Sequence, residues 1–78
     1  MARPVNPMPE FVREALEKNG LMEAYVSRPW YQRNDYLGWI ARAKRQDTKE
    51  RRLAQMLDEL RAGGLYMKMA WRLKGGNA

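Results

Sequence analysis

Apolar residues recur at helical spacing in the first part of this chain, after a proline-rich lead. Val12, Ala15 and Leu16 lie at positions i, i+3 and i+4, the spacing that places side chains on one face of an α-helix. Pro9 suits the opening of that helix, since the first turn does not need its missing N–H group. Gly20 suits the end, where a left-handed residue commonly stops a helix. We therefore predict a first helix that opens at Pro9 and stops at Gly20.

Two further helices are predicted in the middle of the chain. Residues 21–26 form a short helix, which ends because Arg28, as the residue before Pro29, is disfavoured in the α region. Pro29 then opens a third helix over residues 29–44. Its apolar face consists of Tyr36, Ile40 and Ala43. Gly38 costs this helix about 1 kcal/mol relative to alanine and permits the close approach of another backbone.

A fourth helix follows a predicted reversal of the chain near Gln46. Asp47 and Glu50 have the spacing of a capping box, so we expect the helix to begin at Asp47. The glycines at positions 63 and 64 stop it. The apolar stripe between those limits consists of Leu53, Met56, Leu57 and Leu60. Helices three and four would then form an αα-hairpin.

Residues 65–73 differ from the rest, because apolar side chains alternate there with other residues at the period of a β-strand. The chain has no second strand pattern to pair with them, so we expect an extended C-terminal arm on the helices. Pairing of two arms in a homodimer is the alternative. The whole pattern predicts an all-α fold: a single domain over residues 1–78, built as a small three- to four-helix bundle whose core spans about 9–63. The extended N-terminal lead at residues 1–8 and the end at residues 75–78 are expected to be flexible.

Charge is concentrated around the predicted reversal. The net charge is +6, and the middle third of the chain, residues 27–52, carries +5. The cations nearest the reversal are Arg42, Lys44, Arg45, Lys49, Arg51 and Arg52. The first three would lie in the last turn of helix three, where cations are stabilising. The other three would lie in the first turn of helix four, where each is unfavourable by about 0.3–1 kcal/mol.

Two interpretations account for these cations. In the structural one, Asp47 and Glu50 neutralise them locally and an arginine packs over Trp39 or Tyr36, so that no ligand is needed. In the functional one, the cations and the N-terminus of helix four together bind phosphate or carboxylate. The six cations are therefore candidate residues for binding an anion or a partner.

Trp30 and Trp71 are the candidate exposed aromatics, since both lie near the ends of predicted elements. They would serve either an apolar contact with a protein or, with Tyr31, stacking on nucleic-acid bases. Asp47, Asp58 and Glu59 on helix four argue against the second use, because they would repel phosphates. The aromatic residues expected in the core are Tyr25, Tyr36 and Trp39.

The residues that most enzymes use are missing. The chain has no His and no Cys, which removes the usual neutral-pH acid or base, the thiolate nucleophile and the commonest metal ligands. It has no glycine-rich phosphate loop, and Ser27, its only serine, has no base beside it. We therefore expect no enzymatic activity, no cofactor and no metal. Short apolar runs and the absence of a signal segment predict no membrane span and a cytoplasmic location.

The order of residues in helices three and four is distinctive. The runs are Tyr36-Leu37-Gly38-Trp39-Ile40-Ala41-Arg42-Ala43-Lys44-Arg45, Thr48-Lys49-Glu50-Arg51-Arg52-Leu53 and Met56-Leu57. With the preceding helix, over roughly Pro9 to Gly63, they resemble the bacteriocin-protection, YdeI/OmpD-associated family. The resemblance implies a small all-helical domain, often the C-terminal part of longer bacterial proteins. The family's name implies protection against bacteriocins and cationic peptides through an outer-membrane porin, and no activity is generally assigned to the module itself.

One segment departs from the family's pattern. The family tends to have a small residue and a proline followed by Ser-His, where this chain has Arg28-Pro29-Trp30-Tyr31-Gln32. Gln32 cannot titrate, so a role that needs that histidine is not expected here.

Together these features predict a non-catalytic helical interaction module. A protein is the first expected partner, through an apolar patch or through the C-terminal arm. Binding of nucleic acid or another polyanion at the basic junction of helices three and four is the alternative.

Overall fold

The computed structural model describes residues 6–70, and this part of the chain folds into four helices followed by a short β-hairpin. The elements are α1 (Glu10–Lys18), α2 (Met22–Val26), α3 (Trp30–Ala41), α4 (Gln46–Ala62), β1 (Leu65–Tyr66) and β2 (Met69–Ala70). The predicted all-α fold class is confirmed, with four helices in the bundle. The predictions for residues 1–5, for Trp71 and for residues 75–78 lie outside the described residues.

The first helix begins and ends where the pattern predicts. Pro9 precedes it in an extended conformation. Beyond its end, Gly20 has a φ of +66° and donates to the carbonyl of Glu17, while the N–H of Leu21 donates to the carbonyl of Leu16 at 2.9 Å. These bonds form a Schellman turn, which satisfies carbonyl groups that the helix leaves unpaired. The turn brings Leu16 and Leu21 into the same core.

One apolar core is shared by the four helices. Its buried members are Val12, Leu16, Leu21, Tyr25, Tyr36, Leu37, Ile40, Met56 and Leu60. Burial of an aliphatic or aromatic side chain stabilises the fold by about 1.5–3 kcal/mol, so the positions at helical spacing dominate its stability. Leu53 and Leu57 are only partly buried and pack against this core from α4.

The chain reverses between α3 and α4. Trp39, late in α3, accepts a hydrogen bond on its carbonyl from Arg52, early in α4, at 2.6 Å. Tyr36, one turn earlier in α3, donates to Glu59, later in α4. Contacts that run in opposite directions along two helices define an antiparallel pair, so the predicted αα-hairpin is confirmed.

The junction of that hairpin differs from the prediction. α3 ends at Ala41 rather than Lys44, and α4 begins at Gln46 with Arg45 at its N-cap. The predicted capping box is wrong, because Asp47 lies within the helix and no side chain caps this end. The carboxylate of Asp47 instead lies 3.3 Å from Nε of Arg45.

The N-terminal lead is held against α3 at Asn6. Its backbone N–H donates to the side-chain oxygen of Asn34 at 2.8 Å, and its side-chain amide donates to the Asn34 carbonyl at 3.1 Å. A Cβ atom on Gly38 would lie 2.8 Å from that amide nitrogen, so a larger residue here would displace the Asn6 amide from its present position. The close neighbour of Gly38 is thus a side chain rather than a helix backbone. Met8 also packs against the core, so the lead expected to be flexible is held at both residues.

The C-terminal arm folds back on itself, which corrects the expectation that it has no strand partner. The antiparallel pairs are Leu65 with Ala70 and Tyr66 with Met69. The turn residues, Met67 and Lys68, have φ angles of +50° and +66°. A two-residue hairpin turn of type I′ requires positive φ at both positions, and residues with a Cβ atom adopt it at a cost. Pairing of this arm between two copies of the chain stays a prediction.

Lys68→Gly is expected to raise the free energy of unfolding by about 1 kcal/mol, because glycine adopts a left-handed φ without a steric penalty. Urea unfolding at an unchanged m-value measures the difference. The matched control is Ala54→Gly at an exposed site within α4, where glycine should lower the free energy by about 1 kcal/mol. A loss of stability at both positions would contradict this account of the turn.

Candidate functional site

The junction of α3 and α4 carries the six cations that the sequence places there, and we call this part of the molecule the basic end. Its cations are Arg42, Lys44, Arg45, Lys49, Arg51 and Arg52. Four of them are exposed, whereas Lys49 and Arg52 are half-buried. The carboxylates of Asp47 and Glu50 are the acidic groups among them, so positive charge is in excess.

Two of the arginines line one shallow depression at the start of α4. The depression has a volume of about 340 Å³ and is lined by Thr48, Arg51, Arg52 and Gln55. Arg51 donates to the hydroxyl oxygen of Thr48 at 3.1 Å, within the same helix. The amide of Gln55 donates to the carboxylate of Glu59 at 3.1 Å. The side chains around the depression are therefore held in place by hydrogen bonds.

Arg52 is fixed on α3 by Trp39. Besides the hydrogen bond to the Trp39 carbonyl, its guanidinium carbon lies 5.3 Å from the centroid of the Trp39 ring. A cation over an indole at a partly exposed site contributes about 0.5–1 kcal/mol. The structural interpretation of the cations predicts that an arginine packs over Trp39 or Tyr36. Within the described residues, Arg52 is the arginine of the basic end that makes this contact.

The other cations lie outside the depression. An added Cβ atom on Gly38 would lie 3.2 Å from Nη1 of Arg42, so that guanidinium is directed back along α3. Arg45 is paired with Asp47, as described above. Neither Lys44 nor Lys49 forms an ion pair with any carboxylate of residues 6–70. The basic end thus combines two arginines at one depression with unpaired lysines around it.

The observed helix bounds place the six cations differently relative to the helix dipoles. The last turn of α3 contains no cation, because Arg42 is its C-cap and the next residues connect the helices. The first turn of α4 runs from Gln46 to Lys49, so Arg51 and Arg52 stand in the second turn. The dipole is weak there, since its effect falls off within the first turn. The first placement is wrong because α3 ends three residues earlier than predicted. The second is confirmed for Lys49 and wrong for Arg51 and Arg52, because α4 begins one residue earlier than predicted.

The exposed aromatic side chains lie far from the basic end. Trp30 and Tyr31 are 45% and 41% exposed in the first turn of α3. The 12 residues of α3 place them about 18 Å from the junction with α4. Trp39 is the aromatic residue nearest the basic end, and the guanidinium of Arg52 covers it. Tyr25 and Tyr36 are buried in the core.

A buried carboxylate ties the C-terminal hairpin to the helices. Glu59 is 3% exposed, and four donors reach its side chain. They are the backbone N–H groups of Met67 at 2.8 Å and Lys68 at 2.7 Å, the amide of Gln55 at 3.1 Å and the hydroxyl of Tyr36. The carboxyl group accepts throughout, as an ionised carboxylate does. From the sequence, Glu59 was expected only to repel phosphates, because no hairpin was predicted that could donate to its carboxylate.

Arg28 is a second buried group that the sequence analysis missed, since it was treated only as the residue before a proline. It is 4% exposed, and its guanidinium donates to the Gln32 side chain at 3.1 Å and to the Glu59 carbonyl at 3.0 Å. Gln32 is fully buried and donates to the Tyr31 hydroxyl at 3.1 Å. The available signal was spacing for Gln32, which precedes the buried Tyr36 by four residues on one face of α3, but no such signal exists for Arg28, which lies before that helix.

The two buried tyrosine hydroxyls resist ionisation. Burial and the hydrogen bond to Glu59 raise the pKa of Tyr36 well above its usual value, and burial is the larger cause. Burial likewise raises the pKa of Tyr25. Tyr36 therefore keeps its proton at neutral pH and acts as a donor to the Glu59 carboxylate.

The buried polar groups of residues 6–70 are used in holding the fold. Each of their buried side-chain nitrogen and oxygen atoms has a hydrogen-bond partner. No cluster of three or more carboxylates in that part of the chain is arranged to hold a metal ion. None of the helices described there has the length and apolar character needed to cross a membrane.

Four short helices around one core, with a basic reversal between the last two, define a small all-α domain. The family model described as Bacteriocin-protection, YdeI or OmpD-Associated matches residues 7–63, from the N-terminal lead to the end of α4. The chain belongs to this family. No curated protein and no solved structure matches the chain.

Glu59→Gln is expected to lower the free energy of unfolding by about 2–3 kcal/mol, because the new amide nitrogen would face N–H donors and leave one of them buried without a partner. Chemical unfolding measures the loss, and faster amide exchange at Met67 and Lys68 locates it in the hairpin. Asp58→Asn, at the exposed neighbouring carboxylate, is the matched control and should stay within about 0.5 kcal/mol. Equal effects of the two substitutions would show that the buried carboxylate does not hold the hairpin.

Alkaline pH is expected to destabilise the fold through Tyr36. Above about pH 10 the unfolded chain loses this proton, whereas the raised pKa retains it in the folded state. The folded state then binds more protons, so the free energy of unfolding falls as pH rises, by up to about 1.4 kcal/mol per pH unit for one tyrosine. Urea unfolding from about pH 8 to about pH 11 measures this fall. Tyr36→Phe should make the free energy of unfolding fall less steeply with pH, and the remaining fall would be due to Tyr25. An unchanged slope in that variant would contradict the role given to Tyr36.

Proposed function

We propose that this domain is a non-catalytic interaction module that contacts an anionic partner through its basic end. The observation that carries the proposal is the pair Arg51 and Arg52 at one depression, near Lys44 and Lys49, which form no ion pair with a carboxylate of residues 6–70. Folded proteins concentrate unpaired charge of one sign where they attract a partner of the opposite sign.

Exposed arginines in the rest of the described chain are matched by carboxylates. Arg13 lies within ion-pair distance of Glu10 and Glu17, and Arg61 lies 3.2 Å from Asp58. At the basic end, the ion pair in the described residues is the one between Arg45 and Asp47. Lys18 and Lys68 also form no ion pair among the described residues, but residues 27–52 carry +5 of the net charge of +6, which supports a contact surface at this end.

Of the acidic residues that argue against a polyanion, Asp47 lies within the basic end and is paired with Arg45, whereas Asp58 and Glu59 lie farther along α4. Glu59 is buried under the hairpin, and Asp58 is paired with Arg61. The seven residues from Arg52 to Glu59 correspond to about 10 Å along α4, which is about one Debye length at an ionic strength of about 0.1 M. The repulsion of a polyanion by Asp58 and Glu59 is therefore reduced mainly by the partners that these carboxylates already have.

The module is proposed to be non-catalytic because the chain has no His and no Cys, and because its buried polar groups hold the fold. The buried carboxylate of Glu59 is fully engaged by donors, and the Tyr36 hydroxyl retains its proton. A cytoplasmic location stays a prediction from the sequence.

A protein partner on the opposite side of the domain is the second candidate. Trp30 and Tyr31 are exposed in adjacent positions, and the Tyr31 ring meets the edge of Tyr66 in the hairpin at 5.9 Å between centroids. Exposed aromatic side chains beside one another are typical of protein interfaces. A homodimer that uses the C-terminal arm belongs to this candidate.

Arg51→Glu is expected to weaken binding to a polyanion while leaving the fold intact, because Arg51 is exposed and contacts only Thr48 on its own helix among the described residues. The salt concentration that elutes the protein from heparin, with circular dichroism as the folding check, measures this. Lys18→Glu is the matched control, since it makes the same charge change beside Asn19, which contacts Arg61 at the far end of α4.

Earlier elution of the Arg51 variant alone supports the proposed surface. Equal elution of both variants and the unaltered protein contradicts it. If light scattering on a sizing column then shows a dimer that Trp30→Ala dissociates, the second candidate replaces the first. Arg52 is not used in this test, because its contact with Trp39 stabilises the hairpin as well.

A further inference from the structure

We propose that the depression at the start of α4 binds a backbone phosphate of nucleic acid, and that the domain holds the phosphodiester chain without reading its bases. This inference rests on the proposed function, because it names the anionic partner of the same basic end. It follows from the fixed arginines, the unpaired lysines around them and the position of the aromatic side chains.

Arg52 presents its guanidinium to the depression in a fixed position. One of its N–H groups is donated to the Trp39 carbonyl at 2.6 Å, and the guanidinium lies over the Trp39 ring. A guanidinium has five N–H donors, so most of them are left for an anion. Because Trp39 already holds this side chain, little rotamer freedom is lost when an anion binds.

Arg51 and Thr48 supply further donors to the same depression. The hydroxyl oxygen of Thr48 accepts from Arg51 at 3.1 Å, which leaves the hydroxyl hydrogen free to be donated. Two guanidinium groups and a hydroxyl match the several acceptor oxygens of a phosphate better than the two of a carboxylate. The volume of about 340 Å³ lies at the small end of ligand sites and admits a phosphate with part of its sugar.

The surrounding lysines indicate a chain of phosphates rather than a single anion. Lys44 and Lys49 have no ion-pair partner in the described residues, and Arg45 has only the exposed Asp47. The cations of α4 follow about 5 Å of the helix axis from Lys49 to Arg52, and Lys44 and Arg45 lie just before the helix, whereas phosphates of one DNA strand recur every 3.4 Å or so along the axis. Several phosphates of a polymer would therefore reach cations at the same time.

The aromatic side chains are placed where they would not read bases at this site. Single-strand binding proteins stack bases on aromatic rings beside the groove that holds the phosphates. Here Trp30 and Tyr31 lie in the first turn of α3, about 12–14 Å along the helix from Trp39, and Arg52 covers Trp39. This placement corrects the idea that the exposed aromatics and the cations form one surface. Binding that depends on phosphates alone should be indifferent to base sequence and similar for single strands and duplexes.

The test measures fluorescence anisotropy with labelled oligonucleotides of about 20 nucleotides at low and moderate salt. The probes are one DNA strand, its duplex, the RNA of the same sequence and a strand of different sequence. We expect micromolar binding to all four, falling steeply with salt. Arg51→Gln should weaken binding about tenfold at low salt and reduce the log–log salt slope by about one, because one phosphate contact is lost.

Two variants separate the depression from general charge. Lys18→Gln removes one cation at the end of α1, beside Asn19, which contacts Arg61 near the end of α4, and should leave the salt slope unchanged. Arg52→Lys keeps the charge and loses the planar contact with Trp39, so it should weaken binding several-fold at an equal net charge. Unequal slopes for Arg51→Gln and Lys18→Gln support the depression, and equal slopes overturn it.

Binding of other anions tests whether the partner of this site is a nucleic acid, an acidic protein, a lipid headgroup or a single small anion. Polyglutamate that binds as well as DNA at equal charge, with the same response to Arg51→Gln, would show that the partner is an acidic protein. Vesicles of phosphatidylglycerol that bind while oligonucleotides do not would assign the depression to lipid headgroups. Inorganic phosphate that displaces DNA at micromolar concentration would show a site for single anions. Each of these results overturns the inference but leaves the basic end as a contact surface.

Failure of the proposed function has a different signature. If heparin, polyglutamate, vesicles and oligonucleotides all fail to bind at low salt, the basic end contacts no polyanion. A marked preference for one base sequence, or for single strands over duplexes, would leave the surface intact and overturn the indifference to bases.

Discussion

The carboxylate of Glu59 is the group on which the C-terminal half of this domain depends. It is buried where α3, α4 and the hairpin meet, and it accepts hydrogen bonds from Tyr36 and from both turn residues of the hairpin. An unpaired carboxylate at this place would cost several kcal/mol, so the surrounding donors are what make its burial tolerable. Arg28 binds the main chain of the same residue, which joins the end of α2 to this point.

The same interactions explain why a turn without glycine forms at all. Met67 and Lys68 adopt a left-handed backbone that each would avoid in an isolated peptide. Both N–H groups of the turn point at one carboxylate, and charge-assisted hydrogen bonds are about twice as strong as neutral ones. The strain at the turn is therefore offset by an acceptor that belongs to α4, eight and nine residues earlier in the chain.

The distribution of charge follows from this arrangement. The carboxylates in the second half of α4 are engaged, Glu59 by the hairpin and Asp58 by Arg61. The cations near its start have few acidic neighbours, because the chain reverses there and brings the basic ends of two segments together. A helix that is acidic and buried at one end and basic and exposed at the other presents a local positive surface. Membership of the Bacteriocin-protection, YdeI or OmpD-Associated family is consistent with a small helical module of this kind.

Local rules predicted much of the fold. The stop at Gly20, the reversal near Gln46 and the buried positions Leu16, Ile40 and Leu60 all follow from spacing and from the backbone preferences of glycine. The same rules failed at the junction of α3 and α4. Whether Asp47 caps a helix depends on a difference of one or two residues in where the helix begins, and neighbouring packing decides that difference.

The candidate site was predictable in location but not in construction. The six cations were visible from the sequence, and the αα-hairpin placed them at one end. The sequence could not show that Arg51 and Arg52 would share a depression while Arg42 is directed back towards Gly38. Side-chain direction depends on the contacts each arginine finds, and for Arg52 the contact is a tryptophan 13 residues away.

The sequence by itself determined the helical periods, the stops and the excess of positive charge, because these depend on residues within a few positions of one another. Only the tertiary structure decided the pairings between distant residues, such as Asn6 with Asn34 and Tyr36 with Glu59. A buried polar group must find a partner, but which partner it finds depends on the helices that packing brings beside it. For this reason the basic end could be predicted from the sequence, whereas the burial of Glu59 and the hairpin of the C-terminal arm were seen only in the tertiary structure.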